Sequence, residues 1–455
     1  MNCRNLFCVV GLIMVMDQSS FVQGQDKPVH IRVPAGRIME NGYAQLVDSV
    51  PALDIFAALG QSNMAGRAPI TPAVSDTLYN VLLFVDTTTW TYAVNPMNKY
   101  SNIRKDLSYQ QVSPSYSFVK TLAQYTDRDI GIVVNARGGV GIAEFARGQY
   151  RNPIFNQLSE AAEFGEIKAI IWHQGESDNS NTTNYMNDLK LLVGDLREEF
   201  GDAYFVAGQM GGWYIPGTEF EKFGNINYVI STIPDQIENA DFVTNEYLGN
   251  IGDGTHFNLE SQILLGQRYA RKVLRVVYGV DISITRIEMA VDGYAVFRDD
   301  TIHQGSSWSY TDSAGMDRTV EVFADSGEFI RSLVINGEEV NDVANETRYA
   351  FTVNTSQDTN LSIELTSGWP VNVDPVNYGT HHEAGRIYPN PAKNEISIRS
   401  ERIVRGGVKV YSLQGTRVLC SREHEQVDVS FLPAGSYIVS FDSGGVDCWA
   451  LLVKY

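Results

Sequence analysis

Leu53-Asp54-Ile55-Phe56-Ala57-Ala58-Leu59-Gly60-Gln61-Ser62-Asn63-Met64-Ala65-Gly66 joins an apolar run to a turn of small and polar residues. An almost unbroken apolar run of this length suits a strand covered on both faces, as in a parallel sheet. A strand that ends in a tight turn at the carboxyl edge of such a sheet exposes the first turn residue. On these residues alone, Ser62 reads equally well as a nucleophile or as the capping serine of a strand-to-helix turn.

Similar runs recur at 81–86, 130–135, 167–172 and 203–208. Between and after them, Tyr185, Leu189, Leu192, Leu196 and Phe200 repeat at helical spacing, and so do Leu259, Ile263, Gly266, Ala270, Val273 and Val277. These are the core stripes of amphipathic helices. The alternation of strand and helix over about 50–280 predicts a doubly wound, three-layer α/β/α sandwich with a mainly parallel sheet. Such folds bind ligands beyond the carboxyl ends of their strands.

The polar clusters gain meaning from that rule. The run at 130–135 leads into Ala136-Arg137-Gly138-Gly139, and the run at 167–172 leads into His173-Gln174-Gly175-Glu176. Asp253-Gly254-Thr255-His256 stands directly before the last long helix, with a spacing that lets the carboxylate hold the imidazole while the imidazole reaches a serine. Each cluster by itself also fits an ordinary turn or a satisfied loop histidine.

Taken together and in this order, Gly60-Gln61-Ser62-Asn63-Met64, Gly138-Gly139, Trp172-His173-Gln174-Gly175-Glu176 and Asp253-x-x-His256 resemble the SGNH hydrolases, in the branch of sialate O-acetylesterases and family-six carbohydrate esterases. The α/β-hydrolase elbow is not matched, because Met64 stands where Gly-x-Ser-x-Gly needs its second glycine. The resemblance covers roughly 50–280 and implies a flavodoxin-like layered fold. It implies Ser62 as nucleophile, His256 as general base and then acid, and Asp253 as the group that orients His256. The implied oxyanion hole is the backbone N–H of Ser62, the N–H of Gly139 and the side-chain amide of Gln174. Gln174 stands where much of the superfamily has asparagine, as expected in this branch. Glu176 competes with Asp253, because the glutamate of His-Gln-Gly-Glu is credited as a triad acid in some of these enzymes. Arg67 and Arg137 lie close enough in sequence to the expected crevice to bind a substrate carboxylate, or to serve as surface ion pairs. Trp172 and His173 read as core residues behind the site. No cofactor or metal is called for.

The rest of the chain sets the context. With 455 residues, 44% of them apolar, it is long enough for several domains. A net charge of −19 argues against a nucleic-acid partner. Residues 1–24 read as a secretory signal, with Arg4 before the apolar run Leu6–Met16, which is too short for a membrane span. Cys3 and Cys8 leave with it; Cys420 and Cys448 remain and can form one disulfide at most. After an esterase domain at 25–280, residues 281–370 show period-two runs and read as an Ig-like β-sandwich. Residues 282–370 hold fifteen Asp and Glu against five Arg and no Lys, without the spaced Asp/Asn/Gly loop of a calcium site, as in a solvated extracellular module. The sandwich is a spacer, or binds sugar through Trp308 or Tyr310. Residues 371–384 read as a linker. From 385 to 455, Tyr388-Pro389-Asn390-Pro391, Val408–Thr416 and Leu432–Val439 are similar to the C-terminal sorting domain of type IX secretion, a second small β-sandwich. That resemblance implies the type IX machinery as partner and a secreted or cell-surface address in a Gram-negative bacterium. The expected function is removal of O-acetyl groups from a glycan, such as sialate or xylan. The competing expectation is a non-catalytic carbohydrate-binding or adhesion protein on an esterase fold.

Overall fold

The computed structural model describes residues 37–40, 43–46, 53–86, 89–325, 328–341, 343, 346–368, 386–399, 404–412, 416–422, 426–443 and 447–454. The signal at 1–24 and the linker at 371–384 lie outside the described residues.

The first part of the chain is built on a nine-stranded sheet whose strands are, in chain order, β1 (Arg37–Glu40), β2 (Tyr43–Leu46), β3 (Leu53–Gly60), β4 (Leu78–Asp86), β5 (Thr89–Ala93), β6 (Ile130–Ala136), β7 (Gly165–His173), β8 (Tyr204–Gly208) and β9 (Ala240–Val243). Their order across the sheet is β1-β2-β5-β4-β6-β3-β7-β8-β9. The six strands from β4 to β9 along that row are mutually parallel, and β5, β2 and β1 add an antiparallel edge. The helices are α1 (Ser62–Ala65), α2 (Pro114–Tyr125), α3 (Ile142–Ala146), α4 (Arg151–Ala162), α5 (Tyr185–Phe200), α6 (Gly224–Ser231), α7 (Ile233–Gln236) and α8 (Leu259–Val273).

Alternation along the buried strands divides their side chains between two cores. Phe56, Ala58, Ile132, Val134 and Ile171 pack with Phe118 and Leu122 of α2 and with Leu265 and Tyr269 of α8. Ile55, Ala57, Leu59, Val133 and Trp172 pack with Leu158 of α4 and with Leu189 and Leu196 of α5. Both faces of β3 are therefore covered, which is why Leu53–Gly60 carries no polar face apart from Asp54. That carboxylate is buried at the strand's start, where it accepts hydrogen bonds from Arg128 (3.0 Å) and the Tyr278 hydroxyl (2.8 Å).

Register sets up the site. Gly60, at the end of β3, is directly opposite Ala136 of β6 on one side and His173 of β7 on the other. The residues that follow these three ends thus leave the sheet side by side. Gly60 has φ +148°, and a Cβ there would lie 2.1 Å from the His173 carbonyl oxygen, so only glycine fits between the two strands.

Strands between Ile282 and Gly368 form a five-stranded and a four-stranded sheet around a core of their own. The pairing is antiparallel except where Thr285–Met289 runs parallel to Thr359–Ile363. Tyr310 is buried in that core and Trp308 packs against both it and the α2/α8 core, so the two candidate sugar-stacking residues are occupied by packing. Ile282 and Ile284 join the α2/α8 core, Gln267 of α8 donates to the Ser309 carbonyl (2.9 Å), and Arg271 pairs with Asp358. Strands from Arg386 to Lys454 form a three-stranded and a four-stranded sheet with a separate small core. Cys420 is exposed and free, and its strand lies at the opposite edge of the four-stranded sheet from the strand of Cys448. Three inter-strand steps of about 4.8 Å exceed the reach of a disulfide, so the pairing allowed by the sequence is not made.

Candidate active site

The chain after Gly60 turns at once into α1, which places Ser62 in the first turn of that short helix, 5% exposed. Asn258 caps α8 by accepting from Ser261 N–H (3.0 Å), and the loop before it carries Asp253 and His256 back over the sheet edge. His256 Nε2 lies 3.0 Å from Ser62 Oγ, and His256 Nδ1 lies 2.6 Å from Asp253 Oδ2. The other Asp253 oxygen accepts from the backbone N–H groups of Thr255 (2.9 Å) and His256 (2.8 Å). Partial burial pulls the Asp253 carboxyl upward, but the hydrogen bonds from the backbone and imidazole of His256 and from Thr255 outweigh it and hold the acid below its ordinary range. A carboxylate so held keeps its charge at neutral pH beside the imidazole.

Ser62 and His256 open onto a cavity of about 550 Å³. Gly138 and Gly139 form its wall next to the nucleophile; a Cβ on Gly138 would lie 3.2 Å from Ser62 Cβ and 2.7 Å from Arg67 Nη2. Gly139 has φ +74° and open space where a side chain would be. The backbone N–H groups of Ser62 and Gly139 have no hydrogen-bond partner among the described residues.

Gln174 is fully buried and does not line the cavity. Its amide nitrogen faces three acceptors: Asp178 Oδ2 (2.5 Å), the Val140 carbonyl (3.1 Å) and Gln61 Oε1 (3.1 Å). With two hydrogens and three acceptors, that amide is already fully engaged. Gln61 does line the cavity, and with its oxygen held by Gln174 its own amide nitrogen makes no hydrogen bond among the described residues. The order Gln61-Ser62 could have raised this residue as a second amide, but no motif reading can see the carboxylate of Asp178.

Glu176 reaches the cavity wall without contacting His256. Its Oε1 accepts from Asn63 Nδ2 (2.6 Å), and its Oε2 is buried with no partner among the described residues. Burial, opposed only in part by hydrogen bonds from the local backbone and Asn63, pushes its carboxyl up to about 7. His173 and Trp172 are fully buried behind the site, bonded to Tyr269 and Tyr185 respectively, and burial drives the His173 imidazole down to about 3.

Arg67 lines the cavity, braced by the carbonyls of Gly66 (2.7 Å) and Tyr109 (2.8 Å). Arg137 does not: its guanidinium is spent on the Ile103 carbonyl (2.9 Å) and the Tyr150 ring. Two cations that the sequence did not single out take its place, Lys105 and Lys222, the latter bonded to the Gly254 carbonyl (2.7 Å) and Thr255 Oγ1 (2.9 Å). None of the three has a carboxylate within ion-pair distance among the described residues.

Residues 52–275 match the family of carbohydrate esterases described as sialic acid-specific acetylesterases, and residues 386–450 match the secretion system C-terminal sorting domain. A probable carbohydrate esterase of Arabidopsis thaliana is 26% identical over 285 residues, which are 57% of this chain and 98% of that protein. Among solved structures, one Arabidopsis thaliana protein is 23% identical over 50% of this chain and all of its own, with a TM-score of 0.44. A carbohydrate acetylesterase from Xanthomonas citri is 14% identical over 88% of this chain and 79% of its own, with a TM-score of 0.39. Through residues 52–275 the chain is thus similar to the sialic acid-specific acetylesterase family of carbohydrate esterases, and it is a carboxylic ester hydrolase carrying a secretion sorting tail.

Proposed function

We propose that the chain is a secreted serine esterase that removes acetyl groups from sugar hydroxyls through an acetyl-enzyme on Ser62. One observation carries the reading: Ser62 Oγ, His256 Nε2 and Nδ1, and Asp253 Oδ2 stand in one hydrogen-bonded line at the cavity. Ser62 Oγ attacks the acetyl carbonyl while His256 takes its proton, and the protonated imidazole then gives that proton to the departing sugar oxygen. Water repeats the sequence on the acetyl-serine and frees acetate. Asp253 keeps the Nδ1 proton in place and stabilises the imidazolium. The Ser62 and Gly139 N–H groups, free of other partners, serve the oxyanion. Gln61, whose amide nitrogen lines the cavity without a partner among the described residues, is the side-chain donor, with Gln174 holding it in place.

Arg67, Lys105 and Lys222 around the cavity favour a sugar that bears a carboxylate, so acetylated sialic acid is the better substrate and neutral acetylxylan the poorer. Export through type IX machinery in a Gram-negative bacterium is supported by the sorting tail. The two separate cores, one on each face of the sheet, support the three-layer reading of the catalytic domain.

The test is acetate release from O-acetylated sialic acid and from acetylated xylan by the wild type and Ser62→Ala. Ser62→Ala is expected to fold and to lose at least about a thousandfold in turnover. Retention of a tenth of the activity rules out Ser62, and a preference for xylan rules out the carboxylate reading.

A further inference from the structure

Asn63, the residue after the nucleophile, is fully buried, and every polar atom of its side chain is committed. Its Nδ2 donates to Glu176 Oε1 (2.6 Å) and to the Thr255 carbonyl (3.1 Å), and its Oδ1 accepts from Phe257 N–H (3.1 Å). Thr255 and Phe257 are the two neighbours of His256. The amide therefore grips the main chain on both sides of the histidine from the residue next to Ser62, and the separation of Oγ from Nε2 is set through one side chain. Gln262 adds a weaker tie to the Asn63 carbonyl (3.4 Å). The amide can face only one way: reversed, its oxygen would meet the Glu176 carboxyl and the Thr255 carbonyl, and its nitrogen would meet an N–H. Glu176 takes one of the two amide hydrogens and leaves the other for Thr255.

We infer that Asn63 and Glu176 are positioning residues of the esterase, Asn63 by pinning residues 255–257 to the nucleophile turn and Glu176 by fixing the orientation of the Asn63 amide. This rests on the Ser62–His256–Asp253 reading above. Asp253 holds the ring of His256, whereas the Asn63–Glu176 pair holds its backbone, so the two carboxylates act on different parts of one residue. That division accounts for a buried carboxyl in the site that does not touch the imidazole.

The experiment compares Asn63→Asp, Glu176→Ala and Glu176→Gln with the wild type in the full chain. It measures kcat and KM for 4-nitrophenyl acetate, the rate of Ser62 labelling by a small fluorophosphonate, and thermal melts. Asn63→Asp keeps the size and the acceptor for Phe257 but loses both donated bonds. Asn63→Asp and Glu176→Ala are each expected to lower kcat and the labelling rate by about ten- to a hundredfold, with KM changed by less than about threefold, as displacement of a reacting group by a fraction of an ångström predicts. Glu176→Gln can still accept from Asn63 Nδ2 and is expected to restore most of what Glu176→Ala loses. In folded protein, a Glu176→Gln as slow as Glu176→Ala overturns the inference, and so does an Asn63→Asp that labels at the wild-type rate. If Asn63→Asp does not fold, the Glu176 pair decides alone. Ser62→Ala run alongside separates the two readings. Full turnover in that variant removes the nucleophile, and with it the clamp. Lost turnover together with wild-type rates in Glu176→Ala removes only the clamp.

Discussion

Asp253 and Glu176 are both carboxylates near the histidine loop, and their surroundings give them opposite properties. Asp253 is partly solvated and receives three N–H groups, so its charged form is favoured; Glu176 is buried, with Asn63 as its side-chain donor, and burial outweighs its hydrogen bonds, so its neutral form is. Asp253→Asn is expected to cut turnover by about 10³–10⁴, because the amide reverses the tautomer of His256, and the defect should shrink as pH rises; pH–rate profiles of kcat/KM for both proteins check this. Glu176 bears on stability as well. Its folded value of about 7 lies above the ordinary 4.5, so between these pH values the unfolded chain has released a proton that the folded chain keeps. Stability then falls as pH rises through that window, and the cost is complete above about 7. Glu176→Gln carries no such proton, so its melting temperature should gain several degrees on the wild type between pH 5 and pH 8; equal differences at both pH values refute this. The spacing Asp253-x-x-His256 pointed to Asp253, but the place of Glu176 and the crowding of Gln174 were not legible, because sequence shows neither burial nor the third acceptor on that amide. Ser62 and His256, by contrast, stood out because chain order and residue type restrict them strongly.

At the scale of elements, the parallel strands were legible as continuous apolar runs, since both faces of each are covered. The antiparallel edge was not: β1, β2 and β5 are short, and none of them falls in the apolar runs read as strands. Helices α5 and α8 follow the stripes predicted for them, with α8 ending at Val273 and a wider turn continuing to Tyr278. The stripe of α8 includes Gly266, and the reason is visible only in three dimensions. A Cβ there would lie 2.0 Å from Ser117 Oγ and 2.3 Å from the Pro114 carbonyl oxygen of α2. Gly266→Ala must push α2 and α8 apart, at a cost of about 1–3 kcal/mol. Urea melts should show it as a lower midpoint with an unchanged slope, and an unshifted midpoint would mean that the crossing relaxes freely.

At the scale of the molecule, the chain is a catalytic unit with two β units of different standing. Ile282 and Ile284 belong to the core shared with α8, so a chain ending at 280 should melt well below one ending at 370, although both keep Ser62, Asp253 and His256. The tail has its own core, so a chain of 25–370 should retain full esterase activity in vitro and fail only in export. Activity assays and melts of the two truncations distinguish these outcomes, and loss of activity in 25–370 would make the tail part of the catalytic unit. The cationic cavity has one more consequence in a chain of net charge −19. An anionic glycan meets repulsion from the whole surface first and attraction from Arg67, Lys105 and Lys222 only at the end. Raising the ionic strength from 0.01 M to 0.15 M shortens the reach of charge from about 30 Å to about 8 Å, which silences the distant acids before it weakens the close cations. Added salt should therefore speed capture of a sialylated substrate over that range and leave capture of a neutral acetate ester unchanged, the reverse of the behaviour of an enzyme that steers its substrate from afar.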